Sequence, residues 1–134
     1  MSFLENAEKW RGWTIQILAT DISTSALAKA RKGQYSQFEI QRGLPVMLML
    51  KYFDQVDGDW LAKPEVRKMV TFAQHNQLDS ARHLGQFDLI LCRNMLMYLC
   101  DNKRREVLEH LASALTNDGV LMLGAAETVI GQTE

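Results

Sequence analysis

Four short apolar runs, each closing on a polar or turn residue, recur along this chain, and that recurrence leaves few folds open to it. They are Ile-Leu-Ala-Thr-Asp at 17 to 21, Phe72 to Asn76, Phe-Asp-Leu-Ile-Leu-Cys-Arg-Asn at 87 to 94, and Gly-Val-Leu-Met-Leu-Gly at 119 to 124. The runs are too short and too rich in branched side chains for independent helices, and so they read as strands. The first and third read as strands buried on both faces. If all are parallel, their polar ends line up along one edge of a sheet, where open α/β folds bind ligands.

Segments of helical period lie between the runs. Ser23 is placed to cap a helix that carries Ala26, Leu27 and Ala30, and Gly33 stands at its expected stop. Asp101 or Asn102 can cap a second helix with Val107, Leu108, Leu111, Ala112 and Leu115 at 3.6-residue spacing, ended by Asn117, Asp118 and Gly119. Strand, helix, strand recurs, which predicts an α/β doubly wound sheet. One stretch departs from it. An apolar arm from Leu48 to Phe53 runs into Val56-Asp57-Gly58-Asp59-Trp60, and Asp-Gly between apolar flanks is a hairpin signal. Pro64 ends the second arm, a short helix from Tyr35 to Arg42 closed by Gly43 precedes the hairpin, and Arg67 to Phe72 is read as extended. Residues 48–72 are thus a hairpin-containing insertion, either a structural flap or a surface for partner contacts.

The chain's 134 residues suit one domain with a modest core. A formal net charge of -1 argues against a nucleic-acid surface, and the basic cluster Lys103, Arg104 and Arg105 reads as the solvated face of a helix. No apolar run approaches the roughly 20 residues of a membrane span, and no signal-peptide core opens the chain, so the cytoplasm is the expected compartment. Cys92 and Cys100 read as free thiols, and His75, His83 and His110 lack ligand spacing, so no metal site is expected.

The strand ends carry the chemistry. Asp21 stands where an acid can accept both hydrogen bonds of a ribose diol, or where it merely helps start the helix that follows. Asn76 can bond an adenine edge or form a turn. Arg93 follows a buried strand and needs an anionic partner or an exit to water; Asn94 is beside it. Residue chemistry alone stops at a nucleoside-like ligand.

Taken together, the segments resemble the CheR family, S-adenosylmethionine-dependent methyltransferases that esterify glutamates on bacterial chemoreceptors. The resemblance rests on Ile-Leu-Ala-Thr-Asp-Ile-Ser, the helix through Gly-Gln-Tyr-Ser, Lys-Tyr-Phe before the hairpin, Val70 to Leu78, Cys-Arg-Asn-Met-Leu-Met-Tyr, and Leu-Gly-Ala-Ala-Glu-Thr, and it covers nearly the whole chain. It implies a Rossmann-like class I methyltransferase sheet with a β-hairpin insertion, and protein-glutamate O-methyltransferase activity of the chemotaxis type. By position it implies that Asp21 holds the donor's ribose, that Asn76 and Gln77 flank the adenosyl group, and that Arg93 and Asn94 line the site. Tyr98 maps to the tyrosine near the transferred methyl, so Arg93 and Tyr98 are the catalytic candidates. Gln77 stands where the family usually has leucine, a departure from the family's pattern. The implied partner is the cytoplasmic region of a chemoreceptor.

The resemblance also sets an expectation of incompleteness. The first strand, its glycine-rich loop and the last strands of such a sheet have no counterpart in the sequence, which therefore reads as a partial domain over 1–134. The first strand of such sheets lies between the second and the fourth. Its absence predicts two unpaired strand edges, filled in a homodimer or by a longer chain, and weak donor binding by this chain alone. A non-catalytic remnant or protein-interaction module of the same fold is the alternative reading. A nicotinamide-dependent dehydrogenase domain would also want an acid at Asp21 but would leave Cys-Arg-Asn and Tyr98 without a purpose.

Overall fold

The computed structural model describes residues 1–125 and 127. In chain order the elements are α1 (Ser2–Glu5), β1 (Ile17–Asp21), α2 (Thr24–Lys32), β2 (Gln34–Tyr35), α3 (Gln37–Gln41), α4 (Val46–Tyr52), β3 (Phe53–Val56) and β4 (Asp59–Ala62). They continue with α5 (Pro64–Arg67), β5 (Val70–Gln74), β6 (Phe87–Cys92), α6 (Asp101–Ser113) and β7 (Leu115–Leu123), with short 3-10 turns at Ala81–Leu84 and Leu96–Tyr98. The chain divides into two compact units, residues 1–75 and 76–134.

In the first unit β1 and β5 pair in parallel, Ile17 with Val70 through Asp21 with Gln74, so the two strands end level. The helix expected after β1 forms as read. Ser23 Oγ accepts the Ala26 N–H, and Gly33, at φ 65, donates back to the carbonyls of Lys29 and Ala30. Only glycine takes that left-handed conformation without a steric cost. The hairpin also forms: β3 and β4 pair antiparallel from Phe53 with Ala62 to Val56 with Asp59, and β2 adds to the other side of β4. Asp57 and Gly58 turn it with φ of 50 and 86, both positive as a type I′ turn requires. Around it close Ile40, Met49, Tyr52, Phe53, Trp60 and Ala62, the core of this unit.

In the second unit β6 and β7 pair in parallel across α6. Side chains alternate across a strand, so Ile90 and Cys92 of β6 join Leu121 and Leu123 of β7 against Val107, Leu108 and Leu111 of α6. Leu96 and Val107 are the most deeply enclosed residues of that core.

Several expectations are corrected. The strands do not form one continuous sheet: the described residues make sheets of two, three and two strands, and β1 and β6 each leave an edge unpaired. Neither is buried on both faces, since Leu89 and Leu91 of β6 are exposed and no residue of β1 is fully buried. The apolar arm from Leu48 to Phe53 is helical up to Tyr52, within a helix that Pro45 precedes and that places Met49 and Tyr52 in the core. Pro64 likewise opens α5 rather than only closing an arm, and Arg67 belongs to that helix. The helix read from Tyr35 to Arg42 is shorter, Gln37–Gln41, its start fixed by a Ser36–Glu39 capping box. The long helix starts at Asp101 after Cys100 with no side-chain cap and ends at Ser113, so Leu115 and Asn117 to Gly119 fall within β7. There the register between β6 and β7 slips, and residues 116–119 stand opposite Asp88 alone.

Among the described residues no helix is long and apolar enough to cross a membrane, and no group of three His, Cys, Asp or Glu could hold a metal ion. Cys92 is a buried free thiol and Cys100 an exposed one.

Candidate functional site

In each parallel sheet the strands finish at the same level, and the candidate residues sit at those finishes. Asp21 ends β1 opposite Gln74, and its carbonyl accepts the His75 N–H at 3.1 Å. The Asp21 side chain is exposed; Oδ1 accepts the Ser23 N–H at 2.8 Å. That bond holds the turn into α2, so the helix-starting reading of Asp21 describes half of its carboxylate. The second oxygen makes no hydrogen bond among the described residues and is open to a ligand. Gln74 steadies the same rim, Nε2 donating to the Ile22 carbonyl at 3.0 Å.

The other five candidates belong to the second unit. Asn76 Oδ1 accepts the Leu78 N–H at 3.0 Å and its carbonyl accepts the Asp79 N–H at 2.9 Å, a turn built by the asparagine itself. Its side-chain oxygen is thereby engaged, which leaves the amide nitrogen to address a ligand. Gln77 is half-buried, and its backbone carbonyl lies 3.5 Å from Nδ1 of His110 on α6. Leu78 packs on the same core as Leu96, which ties this turn to the one after β6.

That second turn carries Arg93, Asn94 and Tyr98. Arg93 is exposed and has no hydrogen bond or ion pair among the described residues, so its charge takes the exit to water. Asn94 adopts φ 56, a left-handed conformation in which asparagine is tolerated better than most residues. Tyr98 is 80% exposed, its ring unenclosed, while its N–H reaches the Met95 carbonyl at 3.2 Å. Beneath the turn Leu96 is buried, and Arg104 donates from Nε to the Leu96 carbonyl at 3.3 Å and from Nη2 to the Leu99 carbonyl at 3.2 Å.

One residue with a large part in this turn is missing from the candidates. The Glu127 carboxylate accepts the backbone N–H groups of Asn94, Met95, Leu96 and Gly124 at 2.8 to 3.0 Å. Burial works against its charge, yet the four N–H donors outweigh burial and hold its carboxyl below the usual glutamate range. Burial, aided by the Glu127 charge, raises the thiol of Cys92. A signal existed in the sequence: an acid three residues past a glycine at a strand end, inside the Leu-Gly-Ala-Ala-Glu-Thr segment. Ala126 and Thr128 of that segment, and the chain's end at Glu134, lie outside the described residues.

Comparison with known proteins adds identity to this geometry. The family model described as CheR methyltransferase, SAM binding domain, matches residues 1–134. Chemotaxis protein methyltransferase Cher2 of Pseudomonas putida is 39% identical over 117 residues, covering 87% of this chain and 42% of that protein. Chemotaxis protein methyltransferase 1 of Pseudomonas aeruginosa is 40% identical over 116 residues, covering 86% and 42%. A chemotaxis protein methyltransferase of Vibrio parahaemolyticus is 36% identical over 137 residues, covering 100% and 50%. The chain thus spans about half the length of the curated relatives it matches.

Proposed function

This chain belongs to the CheR methyltransferase, SAM binding domain, family, and on that basis we propose that it is the donor-binding core of a protein-glutamate O-methyltransferase acting on chemoreceptor cytoplasmic regions. The observation that carries the reading is the family match along the entire chain. Residue by residue, support comes from Asp21 in the first unit, with one carboxylate oxygen unbonded among the described residues, and from Asn76 and Arg93 in the second, with an amide nitrogen and a guanidinium unbonded among them.

S-adenosylmethionine, when bound, supplies a sulfonium methyl group that a nucleophile displaces in line. The chain's residues bind and align around it. Asp21 accepts hydrogen bonds from the ribose diol through the carboxylate oxygen that Ser23 does not use. Asn76 and Gln77 flank the adenosyl group, and Arg93 and Asn94 line its pocket. A substrate glutamate is already ionised near neutral pH, so no side chain here has to remove a proton. Alignment is then the main contribution. Arg93 attracts and places the carboxylate, and the Tyr98 hydroxyl orients the reacting groups.

The unpaired edges of β1 and β6 support a further strand against each, from a second copy or from a longer chain. The hairpin insertion of residues 48–72 presents an exposed edge on β3 suited to contacts outside the unit.

The test is radiolabelled methyl transfer to purified receptor, run with this chain and with a chain of the relatives' full length. Transfer by the longer chain is expected. In that protein Tyr98→Phe should lower kcat by about tenfold or more, in keeping with the loss of one orienting group, while donor affinity stays within about twofold. No transfer by the longer chain would sink the enzymatic reading and leave an interaction module of the same fold.

A further inference from the structure

Three consecutive N–H groups, those of Asn94, Met95 and Leu96, aim at a single carboxylate. Convergent backbone N–H groups of this kind form concave nests that bind anions. Here the anion is a side chain of the same chain. Glu127 Oε1 takes Met95 at 2.9 Å and Leu96 at 2.8 Å, and Oε2 takes Asn94 at 3.0 Å and Gly124 at 2.8 Å.

The surroundings are shaped to that carboxylate. A Cβ on Gly124 would stand 2.7 Å from Glu127 Oε2, 3.3 Å from Asn94 Oδ1 and 3.4 Å from the Asn94 nitrogen, so a side chain there would push the carboxylate out of its seat. The turn has two sets of fixings. Its far end is held by buried Leu96 and by Arg104 on the Leu96 and Leu99 carbonyls. Its near end, where Asn94 takes a left-handed φ of 56, is held among the described residues by Glu127.

We propose that Glu127 is a positioning residue: its carboxylate locks the backbone from Asn94 to Leu96 and so sets where Arg93, Asn94 and Tyr98 stand. The catalytic consequence rests on the methyltransferase reading above; the locking does not. A turn held at one end only would let Arg93 and Asn94 drift, and a misplacement of about 1 Å can cost on the order of a hundredfold in rate.

The experiment compares Glu127→Gln, Glu127→Ala and Gly124→Ala by amide hydrogen exchange in this chain and by methyl-transfer kinetics in a full-length chain. Exchange at Asn94, Met95 and Leu96 is expected to rise about tenfold in Glu127→Ala and Gly124→Ala, the scale of one lost charge-assisted bond, and less in Glu127→Gln. Amides of Val107 and Leu108 should keep wild-type exchange, showing that the core stays folded. In the kinetic arm kcat should fall at least tenfold in Glu127→Ala with little change in receptor KM, and Glu127→Gln, which keeps one accepting oxygen but sets an NH2 against two N–H donors, should restore only part of it. Unaltered exchange at the three amides would overturn the proposal whatever the kinetics. Faster exchange with wild-type kcat in an active enzyme would overturn its catalytic half. A wild-type chain that transfers no methyl would count against the methyltransferase reading alone, and exchange would still decide what Glu127 holds.

Discussion

Asp21 carries two readings that look like rivals in the sequence, and its geometry leaves room for both. One carboxylate oxygen turns the chain into α2 by accepting the Ser23 N–H, and the other is open. The two readings come apart on substitution. Asp21→Asn keeps an oxygen for Ser23 and removes the charge, so thermal stability should hold within about 0.5 kcal/mol while donor affinity in a full-length chain falls about tenfold. Asp21→Ala should lose both, with a stability cost of about 1 kcal/mol for the missing turn bond. Calorimetry and thermal unfolding of the two variants check this, and equal donor affinity in Asp21→Asn and wild type would remove Asp21 from the site. The strand ends that carry Asp21 and Arg93 were legible because each closes an apolar run. Glu127 left only a faint mark, an acid three residues past a glycine at a strand end, because its partners are backbone N–H groups, which add no side-chain pattern.

At the scale of elements, legibility followed how local the determining physics is. The α2 helix is written in its own ends, Ser23 and Gly33, and the hairpin in Asp57-Gly58, and both form where those residues place them. The segment from Leu48 to Tyr52 is apolar enough for strand or helix; its helical state depends on Pro45 before it and on Met49 and Tyr52 reaching a core built largely by other elements. The polar stretch from Thr116 to Gly119 looks like a turn and lies in a strand because an irregular register with β6 absorbs it. Helix α3 offers a pH test of a local device. Glu39 closes the capping box with Ser36 and pairs with Lys29, and these bonds, that of Lys29 foremost, hold its carboxyl down at about 2. A folded-state value below the unfolded one means a stabilising contribution that is full above the ordinary glutamate range and is lost as pH falls through that range towards about 2. The pair is exposed, so salt should weaken the effect. Following the Ser36 amide by nuclear magnetic resonance should give a midpoint near the low value, and Lys29→Met should move it upwards; an unmoved midpoint would show that Lys29 is not its cause.

At the scale of the molecule, the parallel strands meet less cover from the described residues of their own units than such strands ordinarily have. Parallel sheets are usually packed on both faces. In the second unit α6 covers one face of β6 and β7, while Leu89 and Leu91 stand beside their register partners Val120 and Met122 on the other, each about half or more exposed. Single exposed apolar residues are common on proteins, but four in register form a contiguous patch. Such a patch should take up an environment-sensitive apolar dye from a dilute solution of this chain. Replacing Leu91 and Val120 together with lysine should remove most of that signal, because one charge then stands on each strand of the patch. The same pair should shift stability by no more than about 0.5 kcal/mol per site, since neither side chain contributes to the core beneath α6. Leu108→Ala, which empties that core, should instead cost about 2 to 5 kcal/mol and leave the patch in place. Dye fluorescence and denaturant midpoints measured on the two variants therefore separate the open face from the packed one, and undiminished dye binding by the lysine pair would show that the chain does not present this face to solvent.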